Sequence, residues 1–187
     1  MARSKKSESG DARERLLQAA GRGFRTGGFG GIGVDGLARE AGLTSGAFYA
    51  HFGSKADAFR LAVVDGIKFL RGGVAAFRES HGRGWRDPFV DYYFGERMLV
   101  SLAEACALPS FTPDVARADD ATRVAYQDEL RLLLDEVAGG FGGSRASERA
   151  WALLSILSGA AGMARAVKDE KTRRDILASA RAAAKAV

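Results

Sequence analysis

The sequence predicts an all-α protein on three observations. Only three prolines occur in 187 residues, Pro88, Pro109 and Pro113. Apolar residues recur at spacings of three and four along most segments. The positions between them are rich in Ala, Leu, Arg and Glu, which favour helix.

Each element has its own signal. Asp11 is placed to cap ARERLLQAAGRGFR, where Leu16, Leu17, Ala20 and Phe24 form one stripe and Gly27-Gly28 stops it, so the first helix is expected over about 11–26. VDGLAREA predicts a short helix with Val34, Leu37, Ala38 and Ala41 on one side; Gly42 after it suits the left-handed position of a tight turn. A third helix begins at once in TSGAFYAHF. Ser54 opens a fourth, since S-K-A-D sets an acid three residues after a hydroxyl cap. Phe59, Val63, Ile67, Leu70, Val74 and Phe77 carry its stripe, with Gly72-Gly73 expected to bend or end it. RDPFVDYYFGERMLVSLAEACAL reads as one largely apolar helix, starting near Pro88 and ending before Pro109. Residues 120–138 and 147–167 form two long amphipathic helices separated by GGFGGS, and 171–185 forms a last, alanine-rich one. No internal repeat of about 20 to 50 residues occurs, which counts against a solenoid.

Hydrophobic residues at 47% and charged residues at 27% are ordinary for a soluble globular chain. No apolar stretch reaches the roughly 18 to 20 residues that cross a bilayer, so a cytoplasmic protein without membrane contact is expected. MARSKKSESGD has a basic start but lacks the apolar core of a secretory signal, and residues 1–10 read as a flexible basic tail. The single cysteine, Cys106, excludes an intramolecular disulfide and counts strongly against a thiolate zinc site. It sits in an apolar context with no cation adjacent in sequence, which favours packing over redox sensing. His51 and His81 are the only histidines, so neither a metal cluster nor a Ser-His-Asp arrangement gains support. No catalytic residue, metal or cofactor is assigned.

The charge is unevenly divided. Residues 1–55 carry nine Lys or Arg against five Asp or Glu, whereas residues 56–187 carry nineteen against eighteen. A basic front on a nearly neutral remainder suggests a polyanion partner for the front alone.

That front contains GIGVDG at residues 31–36, which fits the dinucleotide pattern G-x-G-x-x-G. A dinucleotide site needs a strand entering the first glycine and a helix leaving the last. Here a helix precedes it, GGFGGI is too glycine-rich for a buried strand, and no βαβ alternation follows. The glycines instead suit the entry to a helix-turn-helix. Leu37, Ala38, Ala41, Gly42 and Leu43 pack a first helix and turn the chain sharply into a second. Phe48 and Phe52, four apart, anchor that second helix and leave Thr44, Ser45, Ala47, Tyr49 and His51 largely on other faces. Gly36 inside the first of these helices costs about 1 kcal/mol relative to alanine, with no compensation visible in the sequence.

These residues resemble a known family. FRTGGFGGIGVDGLAREAGLTSGAFYAHFGSKADAF is similar to the DNA-binding signature of the TetR family of bacterial transcriptional regulators, whose helix-turn-helix ends in Tyr-x-His-Phe-x-x-Lys, here Tyr49, His51, Phe52 and Lys55. The resemblance covers about residues 11–65. It implies an N-terminal three-helix DNA-binding domain over 11–55 and a C-terminal antiparallel helical bundle over 56–187 for ligand and dimer contacts. It implies a homodimer, here through helices near 120–138 and 147–167, on a pseudo-palindromic double-stranded operator, answering to a small-molecule effector. Thr44, Ser45, Gly46 and Ala47 would begin the recognition helix, with Tyr49, His51 and Lys55 touching phosphates or nearby bases. Many relatives have threonine where this chain has Gly33, so a phosphate contact there falls to a backbone N–H.

Direct base reading looks sparse, because the recognition helix has no Arg, Lys, Asn or Gln for bidentate contacts. Ala47 is placed for a thymine methyl, Ser45 for a base edge, and Arg3, Lys5 and Lys6 for phosphates or the minor groove. Affinity should therefore be largely electrostatic and fall with salt. Trp85, Phe89, Tyr92, Tyr93 and Met98 form a dense aromatic group, read either as packed core or as the lining of a ligand cavity with the tyrosine hydroxyls as handles. Two other function classes stay open at this stage, a nucleotide-dependent enzyme using GIGVDG and a helical interaction adaptor.

Overall fold

The computed structural model describes the backbone of residues 2–187 and side chains from Gly10 onward. The first helix, α1 (Ala2–Gly31), is helical from its second residue, so residues 2–10 continue it rather than forming a separate tail, and Asp11 lies inside it rather than capping it. The side chains of Arg3, Lys5 and Lys6 lie outside the described residues. The expected stop is present as a break: at Gly28 the backbone swings to φ 68°, a value that favours glycine, and one further turn reaches Gly31.

Helices α2 (Val34–Glu40) and α3 (Ser45–His51) follow, joined by a turn at whose hinge Gly42 has φ +69°. Leu43 N–H donates to Ala38 O at 2.9 Å and Gly42 N–H to Arg39 O at 3.0 Å, which satisfies the carbonyls that end α2. Leu16, Ala20 and Phe24 of α1 meet Leu37, Ala38, Phe48 and Phe52, all essentially buried. The α1–α2 crossing is close at Gly23, where a Cβ would fall 2.6 Å from Leu37 Cδ2 and 2.8 Å from Ile32 Cδ1. Ile32 also explains Gly36, because a Cβ there would sit 3.1 Å from its side chain. The propensity cost at Gly36 is offset by seating Ile32 against the core.

The body begins with α4 (Lys55–His81), capped as expected by Ser54, whose Oγ accepts Asp57 N–H at 3.0 Å. Gly72-Gly73 neither bends nor ends it; the buried stripe continues through Val74 to its packing on α8. The apolar segment expected as one helix is broken into α5 (Arg86–Phe94), α6 (Glu96–Leu99), a tight turn at Leu102–Glu104 and α7 (Ala107–Val115). Gly95 makes the first break, since any Cβ would lie 2.7 Å from Asp91 O. Pro109 falls in the first turn of α7, where its missing N–H leaves no gap in the ladder.

Helices α8 (Asp120–Phe141), α9 (Ala146–Ala166) and α10 (Glu170–Ala186) complete the chain. α8 runs through Gly139 and Gly140, which the sequence placed in a separating loop. They serve contact instead, because a Cβ at Gly140 would lie 2.3 Å from Trp85 Nε1. α4 packs on α8, α8 on α9, and α9 on α10. No strand occurs among the described residues.

Candidate nucleic-acid interface

Short-range hydrogen bonds hold the recognition element. Thr44 caps α3 by accepting Ala47 N–H at 3.2 Å, and Ser45 Oγ donates to Asp35 Oδ1 on α2. Arg22 of α1 pairs with Glu40 of α2 at 2.7 Å. Phe48 and Phe52, centroids 5.3 Å apart, root α3 in the core. With both rings inward, the rest of α3 faces away: Thr44, Gly46 and Tyr49 are exposed, Ser45, Ala47 and His51 half-buried. Tyr49 is 57% exposed although its ring packs edge-on against Phe48 at 5.6 Å, which holds an amphipathic side chain outward without burying its hydroxyl.

Like Thr44, the sequence-derived residues Ser45 and Lys55 have internal partners. Ser45 is engaged by Asp35, so reading a base edge requires it to give up or share that bond. Lys55, at the first turn of α4, stacks its Nζ over Phe29 at 4.7 Å, and this cation–π contact gives it a structural reason for its place. Gly33 is the exposed N-cap of α2 with no side-chain cap, which leaves first-turn N–H groups to outside acceptors.

The aromatic group divides. Phe89, Tyr92 and Tyr93 line a cavity of about 370 Å³ between α1, α4, α5, α6 and the turn before α7. Trp85 and Met98 do not line it. Trp85 is 1% exposed, with its Nε1 donating to Gly140 O at 3.1 Å, and Met98 is buried in the core. Both are large apolar residues that fill space between helices, so the sequence had no means of separating them from cavity wall. The wall also contains Arg25, Asp65, Phe69, Leu70, Phe77, Arg97, Glu104 and Cys106, none of which the sequence reading singled out as lining. Helix-interior glycines offered a signal: Gly21, Gly66 and Gly73 all line the same space. Burial raises the Cys106 thiol pKa, against the lowering effects of Tyr93, Arg97 and Arg25. Those cations approach it in space and not in sequence.

A three-helix head with an outward-facing second helix of a helix-turn-helix, set on a helical body, defines a DNA-binding regulator of the helix-turn-helix class. Residues 16–61 match the family model described as bacterial regulatory proteins, tetR family. No curated protein matches the chain by sequence. Among solved structures, the reduced form of NemR from E. coli superposes with a TM-score of 0.78 at 20% identity, over 95% of this chain and 96% of that one. A TetR-family regulator from Agrobacterium tumefaciens gives 0.78 at 16% identity, over 93% and 97%. One from Streptomyces coelicolor gives 0.75 at 21% identity, over 95% and 96%. The match to the tetR family model is thus confined to residues 16–61, and the whole chain takes the fold of these solved structures.

Proposed function

We propose that the protein is a ligand-responsive repressor that binds a pseudo-palindromic operator as a homodimer. The observation that carries this reading is the outward face of α3, with Thr44, Gly46 and Tyr49 exposed beside a ring pair that fixes the helix. Tyr49, His51 and Lys55 would meet phosphates, Ala47 and Ser45 base edges, and the N–H groups at Gly33 a further phosphate. Ligand in the cavity would favour a state in which α4 has swung relative to the heads, so that two recognition helices no longer sit about 34–36 Å apart. The coupling is reciprocal, so operator must weaken ligand.

The dimer we propose uses α9 and α10, where the sequence spacing favoured 120–138 with 147–167. α8 spends its buried residues, Glu129, Leu133 and Val137 among them, on neighbouring helices. α9 and α10 together leave Ser155, Gly159, Met163, Ser179 and Ala183 along an open, shallow face. Small side chains on two adjacent helices suit close packing against the same face of a second copy.

A mobility shift with the DNA upstream of the protein's own gene, at stated salt, tests the function. Sequence-preferring binding is expected to fall steeply with salt and to be lost when Tyr49, His51 and Lys55 are all alanine in a folded dimer. Undiminished binding by that variant rules the reading out.

A further inference from the structure

The cavity wall holds two buried donors without a strong acceptor. Arg25, on α1, lines it with its Nε buried and unpartnered, and forms no ion pair among the described residues. Its guanidinium lies over the Phe111 ring at 4.9 Å, in room left by glycines: a Cβ at Gly21 or Gly66 would come within 3.0 Å of a guanidinium nitrogen. The Tyr93 hydroxyl is likewise buried, with only the weakly accepting thiol of Cys106 beside it. Arginine stays charged in proteins, and a buried guanidinium N–H without an acceptor is costly even with Glu104 and Asp65 acting on the charge from a distance, so the site suits an acceptor from outside.

The neighbouring groups set the sign of that ligand. Asp65 and Glu104 also line the cavity, but both are exposed and hydrated at its rim. Arg97 is already engaged, donating to Glu104 O at 2.7 Å. Tyr93 and Cys106 have pKa values raised chiefly by burial, which keeps phenol and thiol neutral and leaves the inner wall without negative charge. Apart from Gln18, which is exposed and donates to Glu14, the remaining wall is apolar and aromatic, with Leu70, Phe77, Phe89 and Tyr92. A volume of about 370 Å³ falls within the range of small-ligand sites.

We propose that the effector is an amphipathic organic acid whose carboxylate, or a comparable single anionic head, accepts from Arg25 and Tyr93 while its apolar body lies against Phe77, Phe89 and Tyr92. This rests on the ligand-responsive reading above and gives it a chemical class. It also places the head of the ligand on α1, the helix that opens the DNA-binding domain, so the anion acts directly on the joint between head and body.

Calorimetric titration with octanoate, octanol and octylammonium, which share one apolar body, tests the assignment on the full-length protein. Wild type is expected to bind octanoate at least about tenfold more tightly than octylammonium, as charge-assisted hydrogen bonds require. Arg25→Gln should weaken octanoate about tenfold and Tyr93→Phe about threefold, with octanol affinity and the helical circular dichroism unchanged. Arg25→Gln removes an unpaired charge, so the fold is expected to survive it. Three results overturn the proposal: octylammonium binding as well as octanoate, Arg25→Gln sparing octanoate or weakening octanol equally, or no octanoate binding by wild type at about 1 mM. Mobility shifts on the same preparations keep the two readings apart. Acid-selective binding without DNA binding leaves this inference standing and removes the repressor; DNA binding without acid selectivity does the reverse.

Discussion

Asp114 of α7 accepts the backbone N–H of Phe29 at 2.8 Å, which ties the break in α1 to the body of the molecule. The same carboxylate oxygen lies 3.1 Å from where a Cβ on Gly28 would be, so the break and the acceptor fit each other. Phe29 in turn packs on Phe24 and Phe59 and carries Lys55 on its face. This is one part of a wider junction, since α1 also packs on α4, on the turn at Leu102–Glu104 and on α7. Asp114→Ala is expected to cost about 1–2 kcal/mol in urea denaturation, the worth of a partly exposed charge-assisted hydrogen bond. In the folded variant, effector and operator should influence each other less. Unchanged stability and unchanged coupling would leave the joint without a role.

The glycines of α4 separate two physical situations. At Gly66 a Cβ would fall 2.5 Å from Ala107 Cβ and 3.3 Å from Phe111 Cε2, and neither neighbour is a flexible chain end. Gly66→Ala should destabilise by about 1–3 kcal/mol through overpacking. At Gly72 a Cβ would meet nothing within 4 Å, so Gly72→Ala should stabilise by about 0.5–1 kcal/mol through helix propensity alone. Thermal unfolding of the two variants should move in opposite directions, and a shared direction would contradict the packing at Gly66.

What the sequence revealed follows from the range of the forces involved. The turn at Gly42, the Ser54 cap and the Phe48-Phe52 pair are settled within a few residues, and each is found where its pattern placed it. The break at Gly95 was missed because the apolar run continues through it, and the demand for glycine comes from Asp91 O in the folded turn. Gly139 and Gly140 read as loop because their partners, Arg78 and Trp85, arrive from distant elements. Arg25 was invisible for the same reason: a lone arginine beside an apolar stripe reads as surface until α4, α6 and α7 close around it.

Tyr49 and Lys55 should behave differently when removed. Tyr49→Ala deletes a side chain that is 57% exposed, so stability should hardly change while DNA binding weakens. Lys55→Ala also loses the Phe29 contact and should cost about 0.5–1 kcal/mol. If Lys55 touches a phosphate, its variant should also reduce by about one the slope of log affinity against log salt. An unchanged slope in a protein that still binds would assign Lys55 to structure alone.

Acid should act through the helix caps. Hydrogen bonds from Ser54 and Arg60 lower the Asp57 pKa, and those from Thr122 and Thr172 lower Asp119 and Asp169, each from an ordinary 3.8. Because the folded values lie below the unfolded one, these carboxylates favour the fold fully above about pH 4 and cease to do so as pH falls through the depressed values. Urea midpoints should therefore show no change due to these groups between about pH 7 and 5 and a decline below about pH 4. Asp119→Asn with Asp169→Asn, which keeps a capping acceptor but no charge, should make that decline shallower. An identical acid limb in the double variant would locate the sensitivity elsewhere.

The dimer face is tested by adding bulk where the monomer has room. A Cβ at Gly159 meets nothing within 4 Å, so Gly159→Arg fits the single chain and even improves its helix propensity. Across a close-packed α9–α10 interface the same side chain collides with the second copy. Sedimentation should show wild type as a dimer and Gly159→Arg as a monomer with an unchanged helical spectrum. Operator binding should then fall by more than about tenfold, because one head engages one half-site. Leu132→Arg on α8, a position 44% exposed, serves as the counterpart and should leave the dimer intact. If Leu132→Arg separates the subunits and Gly159→Arg does not, the pairing runs through α8, as the spacing of its sequence suggests.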